Sequence, residues 1–245
     1  MTIASLAMYP FPQLRSAQEQ LWNDVRSRLS FDAPPLNWEL EPDAASRRDD
    51  LLLGQTCGWP LVKYLATSVR VVGTFDCDVD DAVDGTYRSV LVSNVDEPLN
   101  DILHRPNLRV AANSPDSLSG WISLLSVAAA AGVELGDVEW TGAHAVSIEA
   151  VRAGRCQLAA IDAVSLAHLG SRGLSRVGQG PRIPCLPLVS ARSTTGDVVS
   201  ELRGALAASV ADPAMAPTCA TLRIRGFLER ELADYEGVSD LAELW

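Results

Sequence analysis

The residues best suited to chemistry in this chain lie in the run Asn113-Ser114-Pro115-Asp116-Ser117-Leu118-Ser119-Gly120. A hydroxyl-rich turn that opens a helix is a ready anion site. The first helical N–H groups have no internal partner, they carry the positive end of the dipole, and serine hydroxyls add hydrogen bonds. The same residues also suit a plain N-cap, which serine and aspartate favour. A second corner, Gln55-Thr56-Cys57-Gly58-Trp59-Pro60, shares the design. Gly58 lets the backbone approach a ligand, and Pro60 falls near the first helical turn. Cys57 invites a nucleophile reading, since a thiol at a helix N-terminus is activated, but it needs a base that only the fold could supply, from His144. Thr141-Gly142-Ala143-His144 starts another helix, where the histidine either donates to an oxyanion or caps the turn. Asp162 ends the apolar run Leu158-Ala159-Ala160-Ile161 and either faces a proton-bearing ligand oxygen or caps the helix Ala163–Leu169. Tyr87 begins a strand continued by Val90-Leu91-Val92, its hydroxyl directed to a crevice or kept in the wall.

The elements that must position these residues are short apolar strands alternating with amphipathic helices. Strands are predicted at Ile3–Met8, Leu36–Leu40, Leu51–Gly54, Arg70–Phe75, Tyr87–Ser93, Leu108–Ala112, Glu139–Thr141 and Gln157–Ile161. Helices are predicted at Ser16–Leu29, with Leu21, Trp22, Val25 and Leu29 on one face, and at Leu61–Ala66, from Trp121 to a stop at Gly132, Ala145–Ala153, Ala163–Leu169, Val198–Val210 and Gly226–Ala233. Two prolines in Arg182–Val189 suit an edge or crossover segment. Such alternation calls for mostly parallel sheets flanked by helices, whose ligands bind beyond the carboxyl ends of the strands. The candidate corners are therefore Tyr9–Pro12, Gln55–Pro60, Asn113–Gly120, Thr141–His144 and the residues from Asp162 onward.

The chain has 245 residues, 47% hydrophobic and 21% charged, which suits one large domain or two modest ones. A formal net charge of −11 argues against nucleic acid and against docking on anionic membranes. It does not exclude a small anion, because backbone dipoles dominate a local site. Five scattered cysteines without a CxxC pair, and three histidines apart from them, predict no metal site and read as free thiols or small apolar residues, with one disulfide left open. No GxSxG, GxxxxGK[ST], HExxH or GxGxxG occurs, so neither a catalytic residue nor a cofactor is predicted. The first basic residue is Arg15 and Thr2–Met8 is too short for a signal-peptide core, so an export signal is not expected here.

Taken in order, the Gln-Thr-Cys-Gly-aromatic-Pro corner, Tyr87-Arg88-Ser89-Val90-Leu91-Val92, Ser117-Leu118-Ser119-Gly120, Thr141-Gly142-Ala143-His144 with its helix, and Ala159-Ala160-Ile161-Asp162 resemble the substrate-binding proteins of phosphate, phosphite and phosphonate ABC importers. The resemblance spans about Ile3 to Val210, and its specificity lies in the order and spacing of the corners. It implies the type 2 periplasmic binding fold: two α/β lobes, residues 1–87 plus 190–245 and residues 88–189, joined by crossover strands near 87–93 and 184–190 and closing on a ligand in the cleft between them. It implies that Ser117, Leu118 through its backbone, Ser119 and Gly120 hold a small oxyanion, that His144 and Tyr87 donate to it, that Asp162 faces it, and that Tyr9 and the Cys57-Gly58 backbone supply the other jaw. It also implies a binding protein, not an enzyme, that partners the membrane subunits of an importer in the periplasm. Without an export signal the cytoplasm stands as an alternative, as do a cytosolic ligand sensor and an enzyme using Cys57 or Asp162 with His144. The chain departs from the family pattern at Asp116, a carboxylate beside the anion turn, and at Trp121, where a smaller aromatic is common.

Overall fold

The computed structural model describes residues Thr2–Ala242. The strands are β1 (Ile3–Ser5), β2 (Leu51–Gln55), β3 (Val69–Cys77), β4 (Thr86–Ser93), β5 (Arg109–Ala112), β6 (Asp137–Trp140), β7 (Leu158–Ile161), β8 (Ser175–Pro184), β9 (Pro187–Ala191) and β10 (Ile224–Leu228). The helices are α1 (Arg15–Ser27), α2 (Pro42–Ser46), α3 (Gly58–Pro60), α4 (Leu99–Leu103), α5 (Ser123–Ala130), α6 (His144–Arg152), α7 (Ala163–Leu169), α8 (Gly196–Ala211), α9 (Ala216–Leu222) and α10 (Gly237–Ala242). Two π-helical turns, Leu61–Leu65 and Leu118–Ile122, adjoin α3 and α5.

The chain divides into two compact units. The first comprises the residues up to Asp78, Ala82–Thr86 and Pro184–Glu236; the second comprises Val79–Asp81, Tyr87–Ile183 and the residues from Gly237. The chain thus changes unit inside β4 and again inside β8.

The first unit holds a five-stranded sheet in the order β1-β2-β9-β3-β10. Helix α1 buries Leu21, Trp22 and Val25 in a cluster with Leu53, Val72, Leu188, Leu202 and Leu206, and the Trp22 indole N–H donates to Pro34 C=O at 2.7 Å. A separate cluster gathers Leu51, Leu61, Leu65, Val71, Val189 and Tyr235.

The second unit holds the sheet β6-β5-β7-β4-β8. The inner strands carry continuous apolar runs, Val90-Leu91-Val92 in β4, Val110-Ala111-Ala112 in β5 and Leu158–Ile161 in β7, because both faces are covered there. Leu91, Val110, Leu158 and Ala160 lie with Leu124 and Ala128 of α5, whereas Val92, Ala111, Ala159 and Ile161 lie with Ile148 and Val151 of α6 and Leu166 of α7. That period of two is the pleat itself.

The α/β class, with a sheet in each of two units, agrees with the sequence expectation; several details do not. The pairs β5–β6 and β5–β7 are parallel and β4–β7 antiparallel, but in the first sheet only β1–β2 is parallel, while β9 runs against β2 and β3 and β10 against β3. Alternating strands and helices fix the direction of neighbours in sequence; β9 and β10 arrive from far along the chain, free of that constraint. Arg182–Val189 is no single edge segment. β8 is an edge strand, but β9 is the centre of its sheet, and Pro187 is tolerated as its first residue. Leu36–Leu40 makes one bridge, Ala4 to Leu36, because the Asn37 side-chain oxygen accepts from the N–H groups of Glu39 and Leu40 and turns the chain. Gly226–Ala233 is not a helix: Gly226–Leu228 pairs with β3, Phe227 meets Phe75 edge-on at 6.4 Å, and Arg225 grips Asp76 through two hydrogen bonds.

Leu158 sits fully buried in the middle strand of the second sheet. Replacing it with alanine is expected to cost about 2–5 kcal/mol in urea unfolding, and a loss below about 1 kcal/mol would contradict this packing.

Candidate functional site

The second unit gathers its polar corners because β6, β5 and β7 are adjacent and parallel, so their carboxyl ends share one rim. At the end of β5, Ser117 N–H bonds Ser114 C=O and Asp116 N–H bonds Ser114 Oγ, shaping the turn. Ser117 then takes an extended conformation and accepts from Gly120 N–H at 3.0 Å, so it is the N-cap. The next turn is π-helical. Ile122 N–H bonds Ser117 C=O across five residues at 3.0 Å, which splays the opening of the helix; such turns recur at functional sites. Ser123 Oγ supports it by donating to Leu118 C=O. Helix α5 ends where Gly132, at φ 70°, and Val133 send their N–H groups back to Ala129 and Ala128.

The β6 corner is tied to the β5 corner beyond the strand ends, through Thr141 N–H to Ala112 C=O and Gly142 N–H to Asn113 C=O, both 2.9 Å. Thr141 Oγ1 shares a 2.6 Å hydrogen bond with Ser147 Oγ, and Gly142 adopts φ 81°, a conformation that suits glycine. His144 begins α6, and its Nε2 meets Ser119 Oγ at 3.1 Å. The two helix starts are therefore joined side chain to side chain. At the β7 corner, Asp162 does two jobs: Oδ1 accepts from Ser165 N–H at 2.6 Å as the cap of α7, and Oδ2 accepts from Tyr87 O–H at 2.5 Å. Asp162 and Tyr87 are buried.

Of the residues singled out from sequence, Tyr87, Ser117, Leu118, Ser119, Gly120, His144 and Asp162 all belong to this unit. Tyr9, Cys57 and Gly58 belong to the first, at the turns after the parallel strands β1 and β2. There Tyr9 lies near Phe11 and receives Gln18 Nε2–H on its carbonyl at 3.3 Å. Cys57, a half-buried free thiol, is the extended N-cap of α3, its carbonyl accepting from Leu61 N–H; Gly58 is buried. This corner too runs into a π-helical turn. All five cysteines are free thiols. Among the described residues no group of His, Cys, Asp or Glu is arranged to hold a metal ion.

Sequence reasoning gave Asn113 no role, and the structure does. Its Oδ1 is enclosed without a hydrogen-bond partner and lies where a β-carbon on Gly120 would come within 2.0 Å. The signal was the glycine, required here by close approach of a side chain. His144 Nδ1 is likewise enclosed without a partner. Burial of the imidazole pulls its pKa below the ordinary 6.5, with the Asp162 carboxylate pulling the other way, so the ring is neutral at pH 7. A neutral ring joined to Ser119 through one nitrogen keeps the other as either donor or acceptor. The corner thus combines helix N-termini, hydroxyls and an imidazole, the donors that hold an oxyanion.

Residues 55–235 match the family model described as the ABC transporter phosphonate periplasmic substrate-binding protein. The chain belongs to this family. Family members bind solute and are not enzymes. The binding-protein component of an ABC phosphonate transporter from Pseudomonas aeruginosa has the same fold, with a TM-score of 0.78 at 17% identity over 99% of this chain and 85% of its own. PhnD1 from Prochlorococcus marinus, in complex with methylphosphonate, gives 0.76 at 16% identity over 99% of this chain and 97% of its own. A Xanthomonas citri protein bound to ATP gives 0.66 at 12% identity over 99% of this chain and 98% of its own. A search of curated protein sequences finds no match. Among the described residues no helix is long and apolar enough to cross a membrane.

Two variants check this geometry. Gly120→Ala would set its methyl 2.0 Å from Asn113 Oδ1 and 2.9 Å from Ser117 Oγ, and is expected to cost about 1–3 kcal/mol in thermal unfolding, part of it recovered by adding Asn113→Ala. For His144, unfolded chains take up a proton below about pH 6.5 that the folded ring refuses, so stability should decline as pH falls from 6.5 toward the lower folded value. Urea unfolding across that range should show a shallower decline for His144→Gln; equal slopes would mean the ring is not depressed.

Proposed function

We propose that this phosphonate-family binding protein captures a phosphonate-type oxyanion at the rim where β5, β6 and β7 end. The observation that carries the reading is the Ser119–His144 hydrogen bond, which joins the openings of two helices and concentrates their donors at one point. In this reading Ser117 serves the helix as its cap by accepting from Gly120 N–H, Ser119 and His144 meet the ligand, and the backbone of Leu118 and Gly120 shapes the turn around it. Tyr87 does not donate to the ligand as expected, because its O–H is given to Asp162; the pair completes the wall, and its remaining lone pairs accept only from a protonated oxygen of the ligand. Tyr9, Cys57 and Gly58 of the first unit are proposed as a second set of ligand contacts. His144 Nδ1 has already lost its water, so in the tautomer that carries its proton there it donates to a ligand with no fresh desolvation cost. Methylphosphonate in the Prochlorococcus protein supports the ligand class. Delivery to the membrane subunits of an ABC importer, in the periplasm, belongs to the same proposal and is supported by the family description.

Calorimetric titration with methylphosphonate, phosphite, phosphate and sulfate tests it. The native protein should bind at least one phosphorus oxyanion, and Ser119→Ala should weaken that binding by about 1.5–3 kcal/mol, the worth of a charge-assisted hydrogen bond. No heat and no thermal shift with any of the four would sink the proposal, and an unchanged dissociation constant for the variant would reduce Ser119 to a helix residue.

A further inference from the structure

The second unit leaves two large apolar side chains exposed among its described residues, and both border the β6 corner. Trp140, 48% exposed, is the last residue of β6, and Val146, 44% exposed, lies in the first turn of α6. Between them stands the stretch that carries His144. The Trp140 ring meets Trp121, the residue after Gly120, at 5.0 Å with the planes 72° apart. The corners already joined by Ser119 and His144 are thus joined a second time, by an edge-to-face aromatic contact. Trp121 is fixed, since it packs on the cluster of Leu103, Val110 and Leu124. The open surface of the pair belongs to Trp140.

Core packing does not require this indole in water. Val138, two residues earlier on the same face of β6, already meets that cluster. Beside an anion-attracting turn, a flat apolar surface is suited to whatever group the anion carries. Two carboxylates of the β6 and β7 corners are committed to other partners: Asp162 to Tyr87 and Ser165, Glu139 to Arg155 at 3.0 Å. That favours an uncharged flat group over an ammonium, which would seek a carboxylate.

We infer that the ligand is an oxyanion bearing a planar apolar substituent, an aryl or heteroaryl phosphonate or phosphate ester, and that Trp140 is the specificity-determining contact for that substituent. The inference rests on the oxyanion site proposed above. Its test compares methylphosphonate with phenylphosphonate on the native protein and on Trp140→Ala, by calorimetry and by quenching of tryptophan fluorescence. Trp140→Ala also loses the edge-to-face contact with Trp121, so thermal unfolding is measured alongside and the comparison is made at a temperature where both proteins are folded. The native protein should bind phenylphosphonate about tenfold more tightly than methylphosphonate, equivalent to about 1.4 kcal/mol. Trp140→Ala should erase that ratio while leaving methylphosphonate affinity within about twofold, the span expected of a contact that touches only the substituent. Equal native affinities for the two ligands would overturn the inference while leaving the oxyanion site standing, as would a variant that weakens both alike. Failure of both to bind would remove the site itself and the inference with it.

Discussion

Three neighbouring strands running the same way are the constraint on which the site depends. Because β6, β5 and β7 are parallel and adjacent, each delivers its carboxyl end, and the helix that follows, to one rim. Reversing any one would carry Asn113, Thr141 or Asp162 to the opposite end of the sheet. Antiparallel β4 meets the same rim with its beginning, which is why Tyr87, at the start of that strand, reaches Asp162, at the end of β7. The apolar residues of these strands alternate between α5 on one face and α6 and α7 on the other, so the packing that stabilises the sheet also fixes where the three helices start.

That placement is compatible with the anion site proposed above on a chain of net charge −11. The donors are local and short-ranged: opened helix turns, hydroxyls and an imidazole kept neutral by burial. Asp162 would oppose an anion if it stood bare, but a peptide N–H and the Tyr87 hydroxyl both donate to its carboxylate. The same carboxylate sustains the β7 corner as the cap of α7. In the proposed site a capping role and a wall role coexist in Asp162, whereas Ser117 caps its helix and Ser119 bonds His144.

Several of these features are legible in the chain. Serine, glycine and proline after apolar runs mark both the Gln55 and Asn113 corners, and α5, α6 and α7 lie close to their predicted bounds, whereas α4 and α10 had no predicted counterpart. Other features are not. No local pattern separates a π-helical turn from an α-helical one, since the difference of one residue in hydrogen-bond span is set by what the turn packs against. Nor could the sequence tell that Asn37 would use its side chain to end a strand after one bridge, or that Gly226–Leu228 would leave a helical pattern to pair with β3.

The sequence by itself determined the α/β class, the strand-end corners and the residue types offered at each, because turn chemistry and apolar periodicity act over a few residues. Their ordered string also sufficed to show the family. Only the tertiary structure decided which of those residues meet. Ser119 and His144 are 25 positions apart and Tyr87 and Asp162 are 75 apart, and both pairs form because the strands beneath them lie side by side. It also decided the direction of β9 and β10, the closeness of Asn113 to Gly120, and the contact of Trp121 with Trp140. The physical reason is common to all: hydrogen bonds and ring contacts are short-ranged in space, and only the packed sheet converts distance along the chain into proximity.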